Sequence, residues 1–264
     1  MSHPRFYCPI PLSAHSRVAL PEAAAHHASR ALRLREGDTI VLFNGSGAQF
    51  PGILRFEQGQ AFADLGECEY TRTELPGSIG LVQGLPAGDK MDWIIEKAAE
   101  LGVTDIFPVS AERSIVQLSG NRLEKRQIHW QRIAESASEQ SGRNRILQVH
   151  PLAPLRNSLQ LPANLNGFLC HPEGGMSFLA AVSRLADAHQ PATPTSVAPD
   201  HTPQERSNIA IRLFIGPEGG WSQQELDQAQ AAGVEKVTFG ERVLRTETAG
   251  IAMTAAAIAL LGWL

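Results

Sequence analysis

The sequence IAIRLFIGPEGGWSQQE, residues 209–225, decides the fold of this chain. It begins with an apolar run of strand length, its glycines allow a tight turn, and Ser222 with Glu225 makes a capping box that predicts the start of a helix. A similar order follows, because a short strand leads into the loop GERVLR (240–245) and then into a final helix that begins near Thr246. Strands that alternate with helices predict a largely parallel sheet with helices on its faces.

The same alternation extends back to about residue 80, whereas the residues before it form short strands broken by turns and one helical stretch, 21–34. Closely spaced short strands favour a small β-barrel. We therefore predict two domains, 1–75 and 76–264. Within the second domain, residues 187–208 contain prolines among small and polar residues, a composition typical of a mobile exposed loop.

Composition places the chain among globular proteins, because 43% hydrophobic and 19% charged residues exclude a disordered chain and a coiled coil. The three cysteines lack C-x-x-C spacing, which predicts a reducing compartment and no zinc site. The first 20 residues contain no apolar signal segment, and the uncharged stretch 248–264 is shorter than a bilayer span. We expect a cytoplasmic protein with neither a metal nor a membrane partner, whose uncharged C-terminus is a buried helix.

The loops that follow the two C-terminal strands are candidates for a ligand site. Open α/β sheets bind ligands beyond the carboxyl ends of their strands, and we expect the two loops to lie side by side. The segment HPEGGMS (171–177) echoes GPEGGWS (216–222), which favours a further strand-to-helix corner. The glycines match neither a P-loop nor a dinucleotide fingerprint, so a tight turn without a ligand remains an alternative. Arg245 is the strongest polar candidate, whereas Glu247 also suits a helix N-terminus.

Several motifs in this order resemble one known family. They are LFIGPEGG (213–220), FGERVLRTETA (239–249), KMDWIIEKAAELGV (90–103), ERS (112–114) and ESASEQSGR (135–143), with further likeness over 27–38 and 42–47. Together they closely resemble the RsmE-type ribosomal RNA uracil-N3 methyltransferases of the SPOUT superfamily. The resemblance covers nearly the whole chain.

The resemblance implies an N-terminal PUA-like β-barrel and a SPOUT α/β domain with a C-terminal trefoil knot. It implies a homodimer that binds S-adenosylmethionine in the knot and methylates N3 of a uridine in small-subunit ribosomal RNA, giving 3-methyluridine. The substrate is either the naked rRNA or the assembled small ribosomal subunit. The resemblance assigns cofactor binding to Leu169, His171, Ile215, Gly216, Pro217, Gly219, Gly220, Phe239, Gly240, Val243, Leu244 and Arg245.

For catalysis, we expect the Arg245 guanidinium to stabilise the negative charge that uracil gains when its N3 proton leaves. The base is Glu247, Glu218 or bulk water, and the sequence does not decide among them. Three other functions stay open: methylation of another RNA site or class, a non-catalytic RNA-binding module, and an unrelated nucleotide-binding enzyme.

The net charge of −4 argues against a protein that coats nucleic acid through a generally basic surface, but the charge is unevenly distributed. The first 35 residues have five arginines against one acid, and residues 110–145 have seven basic residues against four acids. A solvated face is the alternative for any single arginine, but two such segments favour a phosphate-tracking surface. The candidate RNA-binding residues are Arg5, Arg30, Arg33, Arg35, Arg113 and Arg143.

Overall fold

The computed structural model describes residues 3–189 and 207–264. These residues form two compact units, one made of 3–74 with 138–146 and the other of the remaining described residues. The inclusion of 138–146 in the N-terminal unit was not evident from sequence. The predicted loop 187–208 lies almost entirely outside the described residues.

The N-terminal unit is built on a six-stranded sheet with the strand order β1-β3-β4-β5-β2, and β6 pairs with β4. Its strands are β1 (Arg5–Tyr7), β2 (Arg17–Ala19), β3 (Thr39–Phe43), β4 (Ala48–Glu57), β5 (Gln60–Leu65) and β6 (Glu69–Tyr70). Only the β1–β3 pair is parallel among these described strands. Alternate strand residues such as Leu42, Leu54 and Ala63 are fully buried and form the core.

The helix predicted over 21–34 is shorter and irregular in the structure. It consists of α1 (Glu22–His26), which continues as a π-helical turn over His27–Ala31. Arg33 has a φ of 54°, outside the helical region, so regular helix geometry cannot extend through it.

The second unit contains a seven-stranded sheet in which every described pair is parallel. Its order is β11-β13-β10-β12-β7-β8-β9. The strands are β7 (Ser78–Gly84), β8 (Asp105–Val109), β9 (Gln148–Val149), β10 (Leu165–Cys170), β11 (Met176–Ser177), β12 (Ala210–Ile215) and β13 (Glu235–Thr238). The helices after α1 are α2 (Lys90–Glu100), α3 (Gly120–Ser141), α4 (Phe178–Ala188), α5 (Gln223–Ala231) and α6 (Thr246–Leu260).

This arrangement confirms the predicted α/β class and corrects two details. β10 lies between β12 and β13, so the loops after β12 and β13 are not direct neighbours. The prediction of a buried C-terminal helix is only partly right, because α6 buries Met253 and Ala257 but exposes Ala255 and Ala259. In the part of the chain that the structure covers, no helix combines the length and apolarity needed to cross a membrane.

Glycine allows α6 to approach the sheet closely. A Cβ atom at Gly250 would lie 3.1 Å from the side chain of Leu81 on β7 and 3.4 Å from that of Ile215 on β12. The helix therefore packs directly over the strands whose carboxyl ends form the site described below.

Candidate active site

A cavity of about 610 Å³ lies at the carboxyl ends of β10, β12 and β13, a volume within the usual range of small-molecule sites. It is lined by Lys90, Arg113, Cys170, His171, Pro172, Ile215, Gly216, Pro217, Glu218, Gly219, Gly220, Trp221, Phe239, Gly240, Arg242, Val243, Leu244, Arg245, Thr246 and Ala249. Every residue assigned to the cofactor by resemblance lines this cavity except Leu169. Leu169 is 1% exposed and belongs to the core beneath the loops.

A chain of buried side chains fixes the start of α6 against two strands. Gln83 at the end of β7 donates its Nε2 hydrogen to Thr246 Oγ1 at 2.8 Å, and Thr246 Oγ1 donates to the Gly216 carbonyl at 2.6 Å. Gln83 and Thr246 are almost completely buried. Through this one hydroxyl, the first turn of α6 is joined both to the end of β7 and to the loop after β12.

Two glycines give the cavity wall a backbone shape that other residues rarely adopt. Gly220 and Gly240 have φ angles of 69° and 74°, and no atom lies within 4 Å of a Cβ built on either. Their bare backbone leaves space for a ligand to approach closely.

The cavity also holds apolar and polar groups that lack a partner. Val243 is 80% exposed although it is a large apolar residue. The Trp221 Nε1 hydrogen is buried and has no hydrogen-bond acceptor among the described residues. A partly apolar ligand with an acceptor group would match both features.

Lys90 joins two carboxylates at the edge of the cavity. Its Nζ lies 2.8 Å from Glu218 Oε1 and 3.4 Å from Glu247 Oε2. The hydrogen bond with Glu218 raises the pKa of Lys90. Burial alone would raise the pKa of Glu218, but hydrogen bonds from Lys90 and the Ala87 N–H outweigh it and hold that pKa below its usual value. Sequence reasoning missed Lys90 as a site residue, although it opens the KMD motif.

Arg245 and Cys170 differ in what they can contribute. The Arg245 side chain is 82% exposed at the cavity, and its Nη1 lies 4.0 Å from Glu247 Oε1, so its charge is accessible. Burial raises the pKa of the Cys170 thiol, which keeps it protonated and therefore a weak nucleophile.

In the described part of the chain, no group of three or more His, Cys, Asp or Glu residues is arranged to hold a metal.

Two of the predicted RNA-binding arginines have structural roles. Arg143 is 2% exposed, and its Nη2 lies 2.8 Å from Glu74 Oε2. Arg5 donates to Gln49 Oε1 at 2.6 Å and to the Arg143 carbonyl at 3.1 Å. RNA contact by Arg5 and Arg143 stays a prediction, and these hydrogen bonds inside the N-terminal unit give both side chains a structural role.

The other predicted RNA-binding residues are accessible. Arg30, Arg33 and Arg35 are exposed on the N-terminal unit, and none of their side chains forms an ion pair with the described acids. Arg113 is exposed at the cavity of the second unit.

Comparison with known proteins gives two family matches. A model described as an RNA methyltransferase domain matches residues 73–258, and one described as an RNA methyltransferase PUA domain matches residues 20–56. The ribosomal RNA small subunit methyltransferase E of Bacillus subtilis is 30% identical over 235 residues, which cover 85% of this chain and 82% of that protein. The protein of the same name from Synechocystis is 32% identical, covering 88% of this chain and 69% of that protein.

A solved structure is similar over almost the whole length. It is a ribosomal RNA small subunit methyltransferase E from Neisseria gonorrhoeae bound to S-adenosyl methionine, 37% identical with a TM-score of 0.81, and the match covers 98% of both chains. The family match over residues 73–258 and these relatives show that the chain belongs to the ribosomal RNA small subunit methyltransferase E family of RNA methyltransferases.

Proposed function

We propose that this protein transfers a methyl group from S-adenosylmethionine to N3 of a uridine in small-subunit ribosomal RNA, giving 3-methyluridine. The observation that carries the proposal is the glycine-lined cavity at the carboxyl ends of β10, β12 and β13. The Neisseria gonorrhoeae relative, with the same fold and family, was crystallised with S-adenosyl methionine.

The cavity residues fit this cofactor. Apolar side chains of Ile215, Phe239, Val243 and Leu244 suit the faces of adenine, and the open backbone at Gly220 and Gly240 leaves room for its edge. When bound, S-adenosylmethionine supplies a methyl group already activated on a sulfonium. The protein's remaining tasks are to orient the uracil and to manage its N3 proton.

Arg245 is the proposed catalytic residue. Loss of the N3 proton places negative charge on O2 and O4 of uracil, and an accessible guanidinium at the cavity is suited to stabilise it. The side chain of Arg245 is 82% exposed and lies no closer than 4.0 Å to Glu247, so it is not committed to a tight ion pair.

Among the possible bases, Glu218 is the least suitable. Lys90 and the Ala87 N–H stabilise its ionised form, and a lowered pKa makes a carboxylate a weaker proton acceptor. We propose that the proton is accepted by Glu247 or by water in the open cavity. The contacts of Glu247 with Lys90 (3.4 Å) and Arg245 (4.0 Å) are both longer than the 2.8 Å contact between Lys90 and Glu218.

Three features of the family extend the proposal. The knot is supported by the path of the chain from β13 to α6, whose first residue, Thr246, contacts both Gln83 and Gly216. A homodimer is supported by the exposed uncharged face of α6, which includes Ala255 and Ala259. A cytoplasmic location is supported by the rRNA substrate and by cysteines that form no disulfide in the described structure.

Two measurements test the proposed activity. Isothermal calorimetry with S-adenosylmethionine separates a methyltransferase from an RNA-binding module, which would release no binding heat. Transfer of labelled methyl groups is then measured with small ribosomal subunits and with protein-free small-subunit rRNA, both from cells that lack this modification. Label in either RNA supports the activity and identifies the substrate form, whereas cofactor binding without RNA labelling contradicts it.

A further inference from the structure

Glu225 makes one hydrogen bond more than its helix requires. It is the third residue of α5 and is only 5% exposed. Its Oε2 accepts the Ser222 N–H at 2.8 Å, which completes the capping box. Its Oε1 accepts the N–H of Glu112 at 3.1 Å, across 113 residues of sequence.

The additional bond fixes the turn that follows β8. In this turn the Ser114 N–H donates to the Ala111 carbonyl at 3.0 Å, and Ala111 is 6% exposed. Arg113 lies inside the turn, next to the residue that Glu225 holds. A capping carboxylate needs only its local partner to stabilise a helix, so the bond to Glu112 serves the turn and not α5.

Arg113 packs against the cofactor loop without neutralising its charge. A Cβ built on Gly219 would lie 2.9 Å from both the Cβ and the carbonyl oxygen of Arg113, so the turn packs against Gly219 too closely for a side chain there. The Arg113 Nη1 lies 3.4 Å from the Gly219 carbonyl, and no carboxylate among the described residues pairs with its guanidinium. A cation is thus presented at the cavity on a turn of fixed geometry.

We infer that Glu225 is a positioning residue that holds Arg113 against the cofactor loop so that Arg113 binds a phosphate of the RNA substrate beside the target base. The inference rests on the proposed function. Arginine suits a phosphate because its planar guanidinium donates two parallel hydrogen bonds. That geometry is useful only if the backbone that carries the arginine is fixed, and the buried carboxylate of Glu225 provides this.

The test compares Glu225→Gln and Glu225→Asp with a matched control, Ser222→Ala. Glutamine accepts through one oxygen only, and aspartate is one methylene too short to span both N–H groups. Ser222→Ala removes the hydroxyl that receives the Glu225 N–H at 3.2 Å but leaves both carboxylate bonds in place. Melting temperature, cofactor Kd and the kinetics with small ribosomal subunits are measured for each protein.

Both Glu225 variants are expected to raise KM for small subunits about tenfold, because a backbone N–H loses its buried acceptor and the turn shifts. Their cofactor Kd and kcat are expected to change less than about threefold. Ser222→Ala, which also weakens the capping box, is expected to lower the melting temperature about as much as the Glu225 variants do, but to leave KM unchanged. Arg113→Ala is expected to raise KM by at least as much, and adding Glu225→Gln to it should have no further effect.

Two results overturn the inference: an unchanged KM in a folded Glu225 variant, or an equal effect of Glu225→Gln with and without Arg113. If Glu225→Gln does not fold, Glu225→Asp decides. If the wild-type protein transfers no methyl group, the proposed function fails. The same proteins are then compared by equilibrium binding to small subunits, which tests Glu225 and Arg113 independently of transfer.

Discussion

The hydroxyl of Thr246 lies 2.6 Å from the carbonyl oxygen of Gly216 and connects the first turn of α6 to the loop that follows β12. The same hydroxyl accepts a hydrogen bond from Gln83, so three separate segments of the chain meet at one buried atom. The shape of the cavity therefore depends on this residue.

Replacing Thr246 by Val keeps the shape of the side chain but removes both bonds. The Gly216 carbonyl loses this donor, and Gln83 Nε2 keeps its bond to the Gly84 carbonyl but loses its second acceptor. These losses are expected to lower the free energy of unfolding by about 2 kcal/mol and to weaken cofactor affinity about tenfold. Urea denaturation and calorimetry measure the two effects. Thr248→Val, at an exposed position in the same turn of α6, is the control and should change neither. Normal cofactor affinity in Thr246→Val would show that this hydroxyl does not shape the site.

The ion pair between Lys90 and Glu218 makes stability depend on pH. The pKa of Glu218 is lowered in the folded protein, so its carboxylate stabilises the fold above the unfolded pKa of about 4.3, and this contribution disappears as the pH falls through the lower folded value. Lys90→Met should therefore lower the melting temperature near pH 7, and the difference from wild type should shrink below about pH 4.

Lys97→Met is a suitable control for the effect of Lys90 on the site, because Lys97 lies on the same helix and pairs with Glu96 and Glu100. Lys90→Met is expected to weaken cofactor binding about threefold, and Lys97→Met to leave it unchanged. A melting-temperature difference between wild type and Lys90→Met that grows as the pH falls would contradict the assigned direction of the Glu218 pKa.

Arg245→Ala should affect catalysis without affecting the fold. Removal of a single group that stabilises a developing anion lowers kcat about 100-fold, whereas the melting temperature should stay constant because the side chain is 82% exposed. Single-turnover methyl transfer and thermal unfolding measure the two properties. Arg242→Ala, an exposed arginine of the same cavity, is the control. Near wild-type turnover in Arg245→Ala would remove the residue from the mechanism.

Charge reversal at Arg33 and Arg35 should weaken RNA binding in a salt-dependent manner. The slope of log affinity against log salt is negative, and each lost phosphate contact should make it shallower by about 0.7 to 0.9, whereas cofactor affinity should not change. Binding to small subunits is measured over a range of salt for Arg33→Glu, Arg35→Glu and, as a control for net charge, Arg156→Glu, which alters an exposed arginine of the other unit. Equal affinities at low salt would exclude these two positions from the RNA-binding surface.

The sequence predicted those elements whose defining residues lie close together along the chain. Ser222 and Glu225 form both bonds of the predicted capping box, because all the atoms involved lie within one helical turn. The corner expected at HPEGGMS (171–177) implied a preceding strand without giving its bounds, and β10 is that strand. In the structure Gly167 is there for packing, as a Cβ would lie 2.8 Å from the Leu161 side chain. The two-residue strands β6, β9 and β11 are too short to show any periodicity.

The errors and omissions at the site arise from contacts between distant residues. The charge of Arg143 was evident, but its partner Glu74 lies 69 residues earlier, so burial could not be predicted. Lys90 was recognised within a motif, yet its role depends on Glu218, 128 residues away. The position of β10 between β12 and β13 is likewise a property of strand pairing, which no local pattern contains.

Analysis of the methylated nucleoside tests the central claim most directly. Small ribosomal subunits from cells that lack the modification are incubated with the protein and S-adenosylmethionine, and the RNA is digested and analysed by mass spectrometry against nucleoside standards. We predict one methyl group per subunit, recovered as 3-methyluridine. Recovery of the methyl group as 5-methyluridine or a 2′-O-methyl nucleoside, or no methylation of RNA by a protein that binds the cofactor, would contradict the account.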